Sequence, residues 1–258
     1  QRQMCIRDRL LTGHKGFLGT KLTQYLNTHG HVVIGLDKKE KNNLLTCKLD
    51  WDVDVVIHLA GESGVRRSLT QPKIYWENNV LASKRLFDTH KDKKIIYASS
   101  STAKEPERNP YALSKHIVEE MAPKNSIGLR FTTIVGGVGR EDMFIPKLIR
   151  NEIKYANNHY RDFVHVNDVM DAIRILIDTD VDVRGVIDLG TGKSKSIREL
   201  AKKFCTDYIE TVGDKHERID NKSNPKELWA LGWRSKIDII DYISQEKNLT
   251  NDENLNIM

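Results

Sequence analysis

From Leu10 onward, short β-branched runs alternate with stretches of helical period. Candidate strands cover residues 10–12, 32–36, 55–59, 94–99, 127–130, 163–166 and 185–189. Between the first two, Leu18, Leu22, Tyr25 and Leu26 fall on one face of a helix over 17–29. Gln71-Pro72 opens a second helix toward His90, and Asn109-Pro110 opens a third, with Asn as N-cap and Pro at the first helical position. A fourth follows Asn167. Strand, crossover helix and next strand in this order predict an α/β fold with a mostly parallel sheet covered on both faces. After Gly136 the pattern loosens. Gly136-Gly137-Val138-Gly139 reads as a loop, and 191–258 mixes short helices with polar connections such as Asn221 to Pro225.

Composition narrows the class. A chain of 258 residues, 39% hydrophobic and 30% charged, buries enough surface to need no disulfide or metal staple. Apolar runs such as 53–60, broken by Asp54 and His58, fall well short of the roughly 20 residues that span a bilayer, so no membrane partner is expected. Cys5, Cys47 and Cys205 form no CxxC pair, which points away from zinc or any other metal and toward a reducing, cytoplasmic compartment. The net charge of +5 is spread without a Lys/Arg block, so nucleic acid is not an expected partner. Gln1 to Arg9 stand apart as polar residues with no apolar core. The string MCIRDR resembles translated adaptor DNA, and 1–9 is set aside as a non-native segment. The last ten residues, with three Asn, are expected to fray.

Thr12-Gly13-His14-Lys15-Gly16-Phe17-Leu18-Gly19 places three glycines between a strand and a helix. Glycines there let a backbone approach a pyrophosphate at a helix N-terminus, although the same spacing also serves a plain tight turn. The next strand ends at Asp37, where a carboxylate can accept hydrogen bonds from an adenosine ribose, which favours NAD over NADP. Lys38 and Lys39 beside it could tolerate a 2′-phosphate. Asp50-Trp51 and Leu59-Ala60 fit the same dinucleotide groove, together with Gly13, Gly16, Phe17 and Leu18. His58, among apolar strand neighbours, reads as a satisfied core histidine and not as a base.

Tyr111 and Lys115 stand four apart on the helix opened by Asn109, so both side chains face the same way. An adjacent ammonium favours the phenolate and moves a tyrosine toward service as a base near neutral pH. Upstream, the strand 94–99 runs into the hydroxyl cluster Ser99-Ser100-Ser101-Thr102.

With TGHKGFLG, GLD at Asp37, HLAG at 58–61, SGVRRS at 63–68, ENNV around Asn79, YASSS at 97–101, NPYALSK at 109–115, RDFVHVNDV at 161–169 and GVIDLGTGKSKSIREL at 185–200, the chain resembles the extended short-chain dehydrogenase/reductases. The branch is the NAD-dependent nucleotide-sugar epimerase/dehydratase family, and the resemblance runs from about 10 to 233. It implies a Rossmann-type doubly wound sheet over 10–135, completed by about 162–190, with a small substrate-binding region from 136–161 and 191–258. It implies catalysis by Ser100, Tyr111 and Lys115, with Ser101 the alternative hydroxyl, places Ser100, Ser101 and Thr133 against the substrate, and adds Asn79, Tyr111 and Lys115 to the cofactor residues. Arg161 and Arg218 are the expected ligands of a nucleotide diphosphate. Arg66 and Arg67 match a sugar-side loop of uronic-acid epimerases, or are a solvated pair.

Departures shape the expectation. Thr133 stands where many relatives have a substrate-contacting Asn, and Ala103-Lys104-Glu105 replaces a common VYG and shortens the loop. The Asp-Glu that dehydratases carry after the catalytic hydroxyl is missing at Ser101-Thr102. The leading expectation is a UDP-sugar 4-epimerase using NAD, by transient hydride transfer and a keto-sugar intermediate. A dehydratase or reductase of the same family, and a catalytically silent NAD(P)-binding regulatory protein, are the alternatives. Relatives pair as homodimers through a four-helix bundle, here the helices 72–90 and 109–121, whose Leu81, Leu86, Phe87, Leu113, Ile117 and Val118 serve core or interface.

Overall fold

The computed structural model describes residues 8–137 and 141–255, with side chains as far as residue 250. Gln1 to Arg7, Val138, Gly139, Arg140 and the last three residues lie outside the described residues. Strand β1 (Asp8–Thr12) leads into helix α1 (Phe17–Thr28) and β2 (Val32–Leu36). After β3 (Val55–His58) come α2 (Val65–Thr70), α3 (Pro72–Tyr75), a π-helical stretch Trp76–Leu81 and α4 (Ala82–Thr89). The pattern continues with β4 (Lys94–Ser100), α5 (Pro110–Met121), β5 (Ile127–Phe131), β6 (Thr133–Val135) and α6 (Phe144–Ile149). Beyond lie β7 (Tyr155–Asn157), β8 (Tyr160–His165), α7 (Val166–Asp178), β9 (Gly185–Leu189) and β10 (Ser194–Ser196). The chain ends in α8 (Ile197–Phe204), β11 (Ile209–Thr211), α9 (Lys226–Ala230) and α10 (Ile239–Leu255).

Six strands form one parallel sheet in the order β2-β1-β3-β4-β5-β9. Successive side chains of β1 point to opposite faces. Leu11 joins a core built with α1 and α7 (Leu22, Leu26, Val169, Ile173), and Leu10 one built with α4 and α5 (Leu86, Phe87, Val118). Helices on both faces of a parallel sheet are the doubly wound architecture expected from the alternating pattern. The order reverses between β1 and β3, and in such sheets ligands lie in the crevice at the carboxyl ends of the strands where this happens.

Three expectations are corrected. First, β1 starts at Asp8, and Arg9, set aside with the N-terminal segment, is buried and in register with Val33 and Val55. Second, the strand expected at 163–166 runs from Tyr160 to His165 and joins a separate sheet, β10-β8-β6, because its partners are β6 and the antiparallel β10. Third, the tail contains a helix of 17 residues, α10, and not only short pieces. It is anchored by Ile239 and Ile243 in a third core with Leu148, Phe163 and Leu200, and only its first turns are apolar enough to be read from sequence. This helix reaches Leu255, inside the stretch expected to fray.

Asp162, wholly buried on β8, ties this part of the chain together. Its carboxylate accepts from Thr191 N and Oγ1 at 2.8 and 2.6 Å, Gly192 N at 2.9 Å, and Ser223 N and Oγ at 3.1 and 2.5 Å. Among the described residues no helix is long and apolar enough to cross a membrane, and no group of three His, Cys, Asp or Glu could hold a metal ion.

Candidate active site

The carboxyl ends of β1 and β3 meet at the glycine turn. Gly13 has φ +74°, and a Cβ there would stand 2.7 Å from Ala60 N, so the turn admits no side chain. A Cβ on Gly19 would stand 2.0 Å from Gly13 O, which presses α1 against the turn. Gly16 caps α1 without a side-chain bond, and no acidic residue occupies the first helical turn. Backbone N–H groups and the positive helix end are thus left for an anion. Phe17 and Leu18 send their side chains into the core beneath, as does Leu59, while Leu59 N and Ala60 N bond Thr12 O and Oγ1 at 3.1 and 3.3 Å.

Asp37, buried after β2, receives Lys15 N at 3.0 Å and Lys39 N at 2.9 Å, which holds its carboxylate beside the turn. Lys38 is drawn to Glu62, Nζ to Oε1 at 2.5 Å. Asn79, fully buried on the π-helical stretch, accepts from Glu62 N at 2.7 Å and donates to Glu62 O and Ser114 Oγ at 3.1 and 2.9 Å. Its side chain therefore sets the path of the chain after β3. Gly turn, bare helix end and buried carboxylate together fit a dinucleotide, whose pyrophosphate the α1 amides would hold and whose adenosine ribose Asp37 would receive. Asp50 and Trp51 are not brought to this place. Both are exposed; Asp50 pairs with Lys48 at 3.6 Å and acts on His90 after α4, at the edge where β3 and β4 begin. Their spacing in sequence suited the groove, but buried Leu49 directs the segment along the opposite edge.

His58 lies among core residues with both ring nitrogens bonded, Nδ1 to Thr12 Oγ1 at 2.7 Å and Nε2 to Ser83 Oγ at 2.8 Å. Burial, aided by the charge of Lys115, pushes it down to about 3, so it stays neutral.

At the carboxyl end of β4, Ser100 Oγ accepts from Thr102 N at 3.2 Å and Thr102 Oγ1 at 2.9 Å. Its own hydrogen is then left to donate outward. Asn109 Oδ1 caps α5 through Ala112 N at 2.8 Å, which fixes the helix that carries Tyr111 and Lys115. The Tyr111 ring meets Tyr75 edge-on, centroids 5.9 Å apart. Lys115 is buried, with Nζ 2.8 Å from Ala98 O, two residues before Ser100. Burial pushes its ammonium down to about 8, against the opposing pull of Glu119.

That depressed value has a stability consequence. Below pH 8 Lys115 is charged both folded and unfolded, and the burial penalty is present in full. Between about 8 and 10.5 the unfolded chain binds more protons than the folded one, so stability gained at this site rises with pH. The penalty at pH 7 is on the order of 3 kcal/mol, less about 1 kcal/mol for the bond to Ala98 O. Lys115→Met is expected to melt at a higher temperature than the parent at pH 7, with the gap narrowing by pH 9.5; thermal melts at both values check it.

The expected substrate residues are gathered by one segment, 214–224. Arg161 Nη1 donates to Arg218 O at 2.9 Å and its Nη2 to Glu217 Oε2 at 2.8 Å. Arg218 donates from Nε to Glu105 Oε1 at 2.7 Å and from Nη1 to Ser101 O at 2.9 Å. Thr133 Oγ1 accepts from Asn221 at 3.0 Å. Ser101, Thr133, Arg161 and Arg218 thus belong to one hydrogen-bonded wall beside the β4 end. Arg66 is exposed, and Arg67 pairs with Glu62 at 2.9 Å. Glu105 and Glu217, which hold the two arginines, were not singled out by sequence. Neither sits in a motif, and only the fold shows their partners.

The NAD dependent epimerase/dehydratase family matches residues 9–190, the stretch that carries the glycine turn, Ser100, Tyr111, Lys115 and Arg161. Among curated proteins, an uncharacterised protein of Methanocaldococcus jannaschii is 30% identical over 78% of this chain and 82% of its own. A putative UDP-glucose 4-epimerase of the same organism is 28% identical over 95% and 99%. The structure of MoeE5 in complex with UDP-glucuronic acid and NAD superposes with a TM-score of 0.82 at 25% identity, covering 95% of this chain and 99% of that one. Sheet order, glycine turn and Tyr-Lys helix agree with that match, and the chain belongs to the NAD-dependent epimerase/dehydratase family.

Proposed function

We propose that this NAD-dependent enzyme is a 4-epimerase of UDP-sugars. The observation that carries the reading is the state of Glu105, the carboxylate nearest in sequence to the catalytic hydroxyls of β4. Elimination of water from a sugar needs an acid to protonate the departing hydroxyl. Burial alone would raise the Glu105 carboxyl, but bonds from Arg218 and Arg108 outweigh it and hold it below the usual carboxylate range. Glu105 is therefore a poor proton donor, whereas epimerisation needs only one group that takes a proton and returns it.

Tyr111 is that group: as phenolate it accepts the proton of the sugar 4-hydroxyl and later gives it back to the same oxygen. Lys115 favours the phenolate by its charge, and Ser100 donates a hydrogen bond to the reacting oxygen. When bound, NAD supplies the reversible oxidation that makes C4 trigonal. Arg161 and Arg218 hold the diphosphate at the far end, leaving the small sugar to present either face. A UDP-sugar assay with analysis of the epimers tests the reading.

Exposed apolar residues on two helix faces support a homodimer. Leu86, Phe87 and Val118 are buried in the core, while Trp76, Leu81 and Leu113 stand exposed on the two helices expected to pair. Leu113→Glu is expected to give a monomer by light scattering where the parent is a dimer. Free Cys47 and Cys205 suit a reducing cytoplasm.

A further inference from the structure

Glu119 stands four residues beyond Lys115, which itself stands four beyond Tyr111, so the three share one face of α5. Its side chain is 3% exposed. Arg130 on β5 grips it twice, Nε to Oε1 at 2.8 Å and Nη2 to Oε2 at 2.5 Å, and Ser99 on β4 donates to the same Oε1. Three donors thus converge on one buried side chain, and bonds of this charge-assisted kind hold a carboxylate in a fixed orientation. Ser99 lies between Ala98, whose carbonyl takes Lys115 Nζ, and Ser100. Lys115 and Glu119 therefore dock on adjoining residues of the strand that ends in the catalytic hydroxyl.

We propose that Glu119 is a positioning residue for the Tyr111–Lys115 pair: its carboxylate, gripped by Ser99 and Arg130, locks α5 to the end of β4 one helical turn beyond Lys115. The inference rests on the catalytic reading of that pair. Arg130 orients the carboxylate from β5, whereas the carboxylate itself stands on the helix that carries the lysine.

The other groups around Lys115 do not supply this charge. On its own helix stand Tyr111 and Glu119, and on β3 His58 is neutral. Among the described residues, β4 offers it the Ala98 carbonyl, and the π-helical stretch the uncharged Asn79, which meets Gly61 beside Nζ. After β3, Gly61 lies against Nζ, and the Glu62 that follows is committed to Lys38 and Arg67. Glu119 is the anion that opposes the effect of burial on Lys115.

The test separates charge from shape and needs no turnover. In protein labelled with 13Cε-lysine, with Lys115 assigned through Lys115→Met, the pH midpoint of Lys115 is followed in the parent, Glu119→Gln and Glu119→Asp. Glu119→Gln keeps the shape and loses the charge; Glu119→Asp keeps the charge and loses the two-pronged fit to Arg130. The expected result is a midpoint lowered by about half a pH unit or more in Glu119→Gln, with Glu119→Asp closer to the parent. The alkaline limb of kcat should move with it. A Glu119→Gln midpoint equal to or above that of the parent, or a larger shift in Glu119→Asp, would overturn the proposal. Should Glu119→Gln not fold, the 13Cδ signal of Glu119 in the parent decides: a step at the Lys115 midpoint supports coupling, and a flat signal refutes it. Failure of the epimerase reading would appear only in the kinetics and leave these titrations intact.

Discussion

Tyr111→Phe is expected to lower kcat by about 10²–10⁴-fold, the usual worth of one positioned proton-transfer group. The substitution removes one oxygen and keeps the ring that packs edge-on against Tyr75, so the fold is retained. KM should change little, because Arg161 and Arg218, the proposed ligands of the diphosphate, are positioned by the wall of residues 214–224 independently of Tyr111. The NAD content of the purified variant should equal that of the parent, since Asp37 and the glycine turn are untouched. Steady-state kinetics on a UDP-sugar, together with the absorbance of released cofactor, check both parts.

Asp162→Ala is expected to destabilise the fold by roughly 3–5 kcal/mol, because it strips the acceptor from several buried donors at once. Thr191 N and Ser223 N lose their partner, the Thr191 and Ser223 hydroxyls lose theirs, and Gly192 N keeps only Ser223 Oγ at 3.1 Å. For a chain of this size that corresponds to a fall in melting temperature of roughly 10 °C. The damage should reach function as well, since Ser223, released from the carboxylate, lies two residues from Asn221, which reaches Thr133. Calorimetry of variant and parent at one pH measures the first effect, and KM for the UDP-sugar the second.

Much of the sheet was legible because its strands are buried on both faces and read as uninterrupted β-branched runs. The segments 32–36 and 185–189 are strands with the expected ends, and Asn109 caps α5 as its sequence indicates. Tyr111 and Lys115 were legible because helical spacing alone puts them on one face. Other features depend on contacts far apart in the chain. Nothing in RDFVHV tells a strand of the main sheet from one that pairs with Ser194–Ser196. Asp50 and Trp51 were placed by spacing, whereas the burial of Leu49 decides where they go. Glu105 and Glu217 acquire meaning only when Arg161 and Arg218 arrive from distant elements. Glu119 had a readable signal, the second step of four along α5, but its partners Ser99 and Arg130 come from strands that sequence does not align.

The central claim is that one tyrosine moves a proton out and back while the enzyme's NAD is unchanged over a full turnover. The most direct measurement incubates the purified, NAD-loaded enzyme with a panel of UDP-sugars, without added cofactor, and follows them by NMR and mass spectrometry. One sugar is expected to approach a stable mixture of its two 4-epimers, with no change in mass and no accumulation of reduced cofactor. A product lighter by one water, or reduced cofactor formed in proportion to product, would contradict it.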